Sequence, residues 1–255
     1  MLFPLEIDVP AGLNPEIDAL AERGSVFLPE QFRLTMTCGI LELLAHDEKP
    51  GTGVRVDFVS GKAAWRREHG GGKGQAVARA CFPKGLAEPE IFDATAGLAR
   101  DAFVLAGLGA RVTMFERNPA VRALLWDGLR RGSEDPEIGS LIRERLVLSS
   151  HASILEIGES GVCDSVYLDP MFPPKKGSAL VKKDMRAFHA LVGADEDSGE
   201  LLKAALRLAR KRVAVKRPSG APYLGDCMTA NSIDTKGLRF DLYLPGQSLM
   251  PSAKK

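Results

Sequence analysis

The chain has 255 residues, which at about 150 residues per domain suits one large domain or a main domain with a smaller companion. Hydrophobic residues make up 45% of it, enough for a sizeable core at this length, so a disordered, collagen-like or disulfide-miniprotein chain is excluded. The 34 basic and 33 acidic residues give a net charge of +1, which taken alone argues against a broad polyanion-binding surface. In chain order, the first 88 residues contain 34–45 and 54–59, both strand or helix material, and 61–82, a glycine-rich loop entering a helix. From Pro89 strands and helices alternate: strand 91–95, helix 98–108, strand 111–116, helix 119–131, strands 145–149 and 165–169, helix 199–211 and strand 212–216. Asn118 is the expected N-cap of the second helix, with Pro119 in its first turn. The segments 226–235 and 238–245 have no helical spacer between them and read as an antiparallel hairpin closing the sheet. The expectation is a Rossmann-like α/β fold with a seven-stranded, mainly parallel sheet over 89–255, and a smaller α+β portion over 1–88 packed against it.

Charge is unevenly placed. Residues 1–54 carry net −6, and 55–84 net +5. Residues 171–186 hold five bases against Asp184, and 203–217 hold seven bases and no acid. The last block reads as a helix with its Lys and Arg on the wet face. Cys38, Cys81, Cys163 and Cys227 lie 43, 82 and 64 residues apart, so no CxxC pair suggests zinc or redox chemistry and no metal is expected. No apolar run is long enough to span a membrane, and the first residues lack the basic and apolar regions of a secretion signal. A cytoplasmic protein with no membrane partner is expected.

An open α/β sheet binds its ligand at the carboxyl ends of its strands. After the first of these strands stands DATAGLARD (93–101), with Gly97 where a dinucleotide site would need G-x-G-x-x-G. One tight turn between Asp93 and Gly97 suits a smaller cationic ligand better than a pyrophosphate. GGGKG (70–74) lacks the glycine and hydroxyl spacing of a P-loop. Glu116 ends the second strand 23 residues after Asp93, where a carboxylate accepts hydrogen bonds from ribose hydroxyls.

SVYLDPMFPPKKGSA (165–179) resembles the Asp-Pro-Pro-aromatic motif of amino-group methyltransferases, in which an exocyclic amine must be made nucleophilic. Asp169 and the Pro170 carbonyl can accept its two N–H bonds and localise the lone pair, while Phe172 stacks on the base. Transfer then needs positioning more than a general base, so His69 and His151 read as structural or substrate-facing. Trp65, Arg66, Arg67 and Lys73 suit phosphate contact and stacking on an unpaired base. Lys175, Lys176, Lys182 and Lys183 flank the catalytic loop and are expected to meet an RNA backbone.

DATAGLARDAFVLA, FERNP, VYLDPMFP, SALVKKDMR, VKRP, TKGLRFDLY and VDFVSGKAAWRREHGGGKGQAVARA together are similar to the class I S-adenosylmethionine-dependent methyltransferases. Within them they resemble the bacterial RsmJ family of small-subunit ribosomal RNA guanine-N2 methyltransferases. The resemblance implies S-adenosylmethionine (SAM) as cofactor and 16S ribosomal RNA or the small ribosomal subunit as partner. It implies cofactor contacts at Arg100, Asp101, Glu116, Arg117, Ser153 and Asp169 beside the Asp93–Gly97 turn, and an RNA-recognition role for residues 1–88. Met171 departs from the second proline of the broader motif, and SSHAS (149–153) lacks the acid many class I enzymes place after the third strand. Transfer to adenine N6 in DNA or to a protein amide, or an RNA-binding protein that has lost catalysis, are the competing readings.

Overall fold

A computed structural model describes residues 2–4, 27–29, 32–45, 47–60, 72–171, 197–247 and 250–251. In chain order the strands are β1 (Leu2–Pro4), β2 (Phe27–Pro29), β3 (Phe32–Thr37), β4 (Ile40–Ala45), β5 (Glu90–Asp93), β6 (Arg111–Met114), β7 (Leu146–Leu148), β8 (Cys163–Leu168), β9 (Ala209–Pro218), β10 (Cys227–Met228), β11 (Asn231–Thr235), β12 (Leu238–Tyr243) and β13 (Met250–Pro251). The helices are α1 (Ala76–Cys81), α2 (Arg100–Gly107), α3 (Pro119–Ser133), α4 (Gly139–Arg145) and α5 (Ser198–Leu208). Seven strands form one sheet in the order β11-β12-β9-β8-β5-β6-β7. Strands β7, β6, β5, β8 and β9 are parallel neighbours, and β12 runs antiparallel to β9 and to β11. β12 therefore alone opposes the other six, and the expected closing hairpin is β11–β12.

Local chemistry accounts for most of the element ends. Asn118 accepts the Ala120 and Val121 amides at 3.0 and 3.3 Å and caps α3 behind Pro119. Cys38 and Gly39, with φ of 50° and 77°, make the two-residue turn that pairs β3 with β4. Three boundaries differ from the sequence reading. Residues 54–59 form no strand, pairing with β4 through the isolated Val54–Leu43 bridge. Helix α4, short and carrying its charges in IRER, precedes β7 where the periodicity suggests none. Residues 209–211 extend β9 rather than α5, because Arg210 is drawn across the sheet edge to Glu90 at 2.5 Å and Asp164 at 3.2 Å.

Two apolar clusters cover the sheet. On one face Leu34, Leu41, Leu43, Val54, Val56 and Phe58 join α2, α3, β5 and β6 in a single core. On the other, α5 packs Leu201, Leu202, Ala205 and Leu208 onto β8 and β9. The β3–β4 hairpin thus packs against the sheet layer, and polar contacts fix its place. Asp127 of α3, fully buried, accepts the Leu41 amide at 3.0 Å and bonds Arg131 and Arg130 at 2.8 and 3.1 Å. Arg131 in turn donates to the Val56 carbonyl at 2.5 Å.

Gly128 of α3 lies under Val56, whose Cγ1 and Cβ would stand 2.3 and 2.7 Å from an added Cβ. Gly128→Ala is expected to destabilise the protein by about 1–3 kcal/mol despite alanine's better helix propensity. Chemical denaturation should show the loss, and Val56→Ala in the same chain should recover part of it.

Candidate active site

The site forms where β5, β6, β8 and β9 end. Asp93 closes β5, and the chain turns through Gly97 (φ 53°) and Ala99 (φ 54°) into α2. Glu116 lies just past β6 and is buried, at 7% exposure. Its Oε2 accepts the Gly97 amide at 3.0 Å and its Oε1 the Asn118 amide at 2.8 Å. A carboxylate in this position can accept several hydrogen bonds, those of hydroxyl donors included. Arg122, one turn into α3, donates to the carbonyls of Glu116, His151 and Ser149 at 3.3, 3.3 and 2.8 Å, tying the loop after β7 to the loop after β6.

Asp169 follows β8 directly. Its amide donates to Thr95 Oγ1 at 2.6 Å, and its Oδ2 receives Lys216 Nζ at 2.8 Å. Lys216 Nζ also lies 2.8 Å from Asp101 Oδ2, which accepts the Tyr167 hydroxyl at 2.8 Å. The strand register explains the meeting. Leu168 pairs with Val215, so Lys216 emerges beside Asp169 on the face that Tyr167 and α2 occupy. Pro170 is buried and Met171 half-buried behind it.

The electrostatics follow from burial. Asp93 is 2% exposed, and desolvation, helped by Asp101 and Asp169 and opposed by the Thr95 amide and Lys216, pushes its carboxyl up to about 8. Desolvation on the inner side of Asp169 raises its carboxyl above the ordinary range against the pull of Lys216. Lys216 is held above the ordinary lysine range: desolvation works against its charge, and Asp169 and Asp101 outweigh it.

The expected site residues fall into groups. Asp93, Gly97, Asp101, Glu116 and Asp169 converge. Arg100 opens α2 and is exposed. Arg117 reaches Asp197, at the start of α5, at 2.6 Å. Ser153 accepts the Leu155 amide at 3.2 Å and donates its own to Glu156 at 2.9 Å, organising the turn after β7. The His151 ring faces Glu156 at 3.3 Å. Lys73 is exposed and sits 5.1 Å above the Phe82 ring. Phe172, Trp65, Arg66, Arg67, His69, Lys175, Lys176, Lys182 and Lys183 lie outside the described residues. Sequence reasoning missed Lys216, Tyr167, Thr95 and Arg122. A lysine ending the apolar run VAV in RVAVKRP was the available signal for the first. Among the described residues there is no group of three or more His, Cys, Asp or Glu placed to hold a metal ion, and no helix long and apolar enough to cross a membrane.

A family profile described as "Putative SAM-dependent methyltransferase" matches residues 26–245. The crystal structure of a SAM-dependent methyltransferase from Neisseria gonorrhoeae superposes with a TM-score of 0.70 at 36% identity, covering 95% of this chain and 96% of that one. The chain is a SAM-dependent methyltransferase with a Rossmann-like fold. Proteins called Ribosomal RNA small subunit methyltransferase J match most of its length. The one from Cronobacter sakazakii is 58% identical over 82% of this chain and 84% of its own. That from Serratia proteamaculans is 53% identical over 92% and 96%. The chain belongs to the ribosomal RNA small subunit methyltransferase J family.

The donor set fits SAM. A buried carboxylate just past the second strand of the site suits ribose hydroxyls, and the acidic end of the sheet suits a sulfonium and an ammonium. Glu116→Ala should weaken SAM binding by at least about tenfold in calorimetry, the scale of a lost charged hydrogen bond. Asp93 supplies a pH prediction. Its folded value exceeds its unfolded one, so the folded state holds the extra proton and stability falls as pH rises from about 4 towards 8. Asp93→Asn should lose less stability than the wild type across that interval in denaturant titrations at successive pH values.

Proposed function

We propose that this protein transfers the methyl group of SAM to the exocyclic N2 amine of a guanine in small-subunit (16S) ribosomal RNA, in the cytoplasm. The observation that carries the reading is the fixed carboxylate of Asp169, held at its amide by Thr95 and at Oδ2 by Lys216, at the strand end where a methyl donor and an acceptor base would meet. The relatives named as methylating small-subunit ribosomal RNA support the acceptor class.

SAM supplies, when bound, an electrophilic methyl on a sulfonium. The protein's own part is to orient and to localise charge. Asp169 and the Pro170 carbonyl accept the two N–H bonds of the amine, so its lone pair points at the methyl instead of into the ring. Phe172 stacks on the base. After transfer the amine bears a positive charge, and Asp169 or water takes its proton. Glu116 holds the ribose, Asp93 and Gly97 shape the turn beneath the cofactor, and Arg100, Asp101, Arg117 and Ser153 complete its surroundings.

The guanine must leave its stack to reach Asp169, so a loop or helix-end nucleotide is the expected acceptor. Arg66, Arg67, Lys73, Lys175, Lys176, Lys182 and Lys183 are assigned to the RNA backbone. Residues 1–88 are assigned to choosing the RNA, beside a methyltransferase domain of 89–255.

Nucleoside mass spectrometry of 16S ribosomal RNA from cells lacking the protein should show one N2-methylguanosine missing. The wild-type gene should restore it, and Asp169→Ala should lower transfer by about 100-fold or more. An unchanged complement of N2-methylguanosine, or full restoration by Asp169→Ala, would refute the proposal.

A further inference from the structure

We infer that Lys216 is a positioning residue for methyl transfer: by occupying Oδ2 of Asp169 while anchored on Asp101, it aims the other carboxylate oxygen at the acceptor amine. The inference rests on the function proposed above and extends it to a residue outside the Asp-Pro motif.

The geometry is specific. Lys216 Nζ is 2.8 Å from Oδ2 of both Asp101 and Asp169. Asp101 is itself fixed by the Tyr167 hydroxyl at 2.8 Å. Asp169 is tied at its backbone by Thr95. Oδ1 takes no bond from a described residue, and the side chain is 40% exposed, whereas the Lys216 side chain is 21% exposed and that of Asp101 13%. The exposed oxygen therefore belongs to the open side, and the lysine to the protein side. An unanchored aspartate would sample a broad range of χ2, so that neither oxygen held the fixed direction on which transfer depends.

Among the described residues, the charged and titratable groups around Asp169 are Asp93 of β5, Asp101 of α2, Tyr167 of β8, and Lys216 and Arg217 of β9, with Cys81 of α1 near Lys216. Lys216 favours the carboxylate form of Asp169, and Asp101 opposes it. The carboxylate form is the stronger acceptor from the amine and presents no competing O–H donor.

The test follows Asp169 by carbon-13 NMR of the full chain, with Asp169→Asn identifying the resonance and thermal unfolding reporting the fold. In Lys216→Met, Asp169 should titrate at least about one pH unit higher, and Lys216→Arg should return it towards the wild type. With small-subunit RNA from cells lacking the protein, kcat in Lys216→Met should fall at least about tenfold, with KM for RNA within about twofold. The acid limb of the kcat profile should move with the titration. A folded Lys216→Met whose Asp169 titration stays in place overturns the inference, whatever its activity. Should Lys216→Met fail to fold, Asp101→Asn keeps the shape and should move the titration downward; no movement overturns the inference equally. A shifted titration in a protein that methylates no ribosomal RNA would support the Lys216–Asp169 linkage and refute the substrate reading.

Discussion

Three carboxylates, Asp93, Asp101 and Asp169, and one ammonium, Lys216, meet at the carboxyl ends of β5, β8 and β9. So much negative charge away from bulk water is costly unless it is neutralised. The protein does so in two ways. Burial pushes the carboxyl of Asp93, the most enclosed, up to about 8, and Lys216 bridges the other two. The rest of the site depends on that division. The bridge takes Oδ2 of Asp169, and Oδ1 takes no bond from a described residue.

Helix α3 connects this floor to the N-terminal hairpin. At its start Asn118 gives its amide to Glu116 and its side chain to the first turn. Further along the helix, Asp127 and Arg131 grip the Leu41 amide and the Val56 carbonyl. Gly128 lets residue 56 lie directly on the helix. The segment 54–60 is thus anchored on the helix that begins beside Glu116.

The basic block 203–217 shows how little a local charge count says about binding. Arg207 donates to the carbonyls of Ile157 and Glu159, Arg210 pairs with Glu90 and Asp164, and Arg212 reaches the carbonyls of Arg79 and Ala80. Lys216 bridges the site carboxylates, and Arg217 donates to Pro222. Most of this charge closes loop ends and sheet edges. Lys203 and Arg207 do lie on the wet face of α5, as the sequence suggests, while the remaining five bases belong to β9.

What is local in physics was legible in the sequence. The alternation of strand and helix periods, the Asn118–Pro119 helix start, the closing hairpin, the Asp93–Gly97 turn, Glu116 and the Asp-Pro step at 169 all depend on neighbours within a few residues. The short α4 and the border between α5 and β9 were misread because tertiary contacts override weak propensities there, Arg210 being held by acids 46 and 120 positions away. The bridge was equally out of reach. Lys216 stands 115 residues from Asp101 and 47 from Asp169. Which carboxylate is bridged and which is most enclosed follow from strand order and burial. The sequence by itself determined the fold class and which residues stand at each strand end. Only the tertiary structure decided how those charges are shared, because Coulomb energy and desolvation depend on distance in space and on the water excluded between groups.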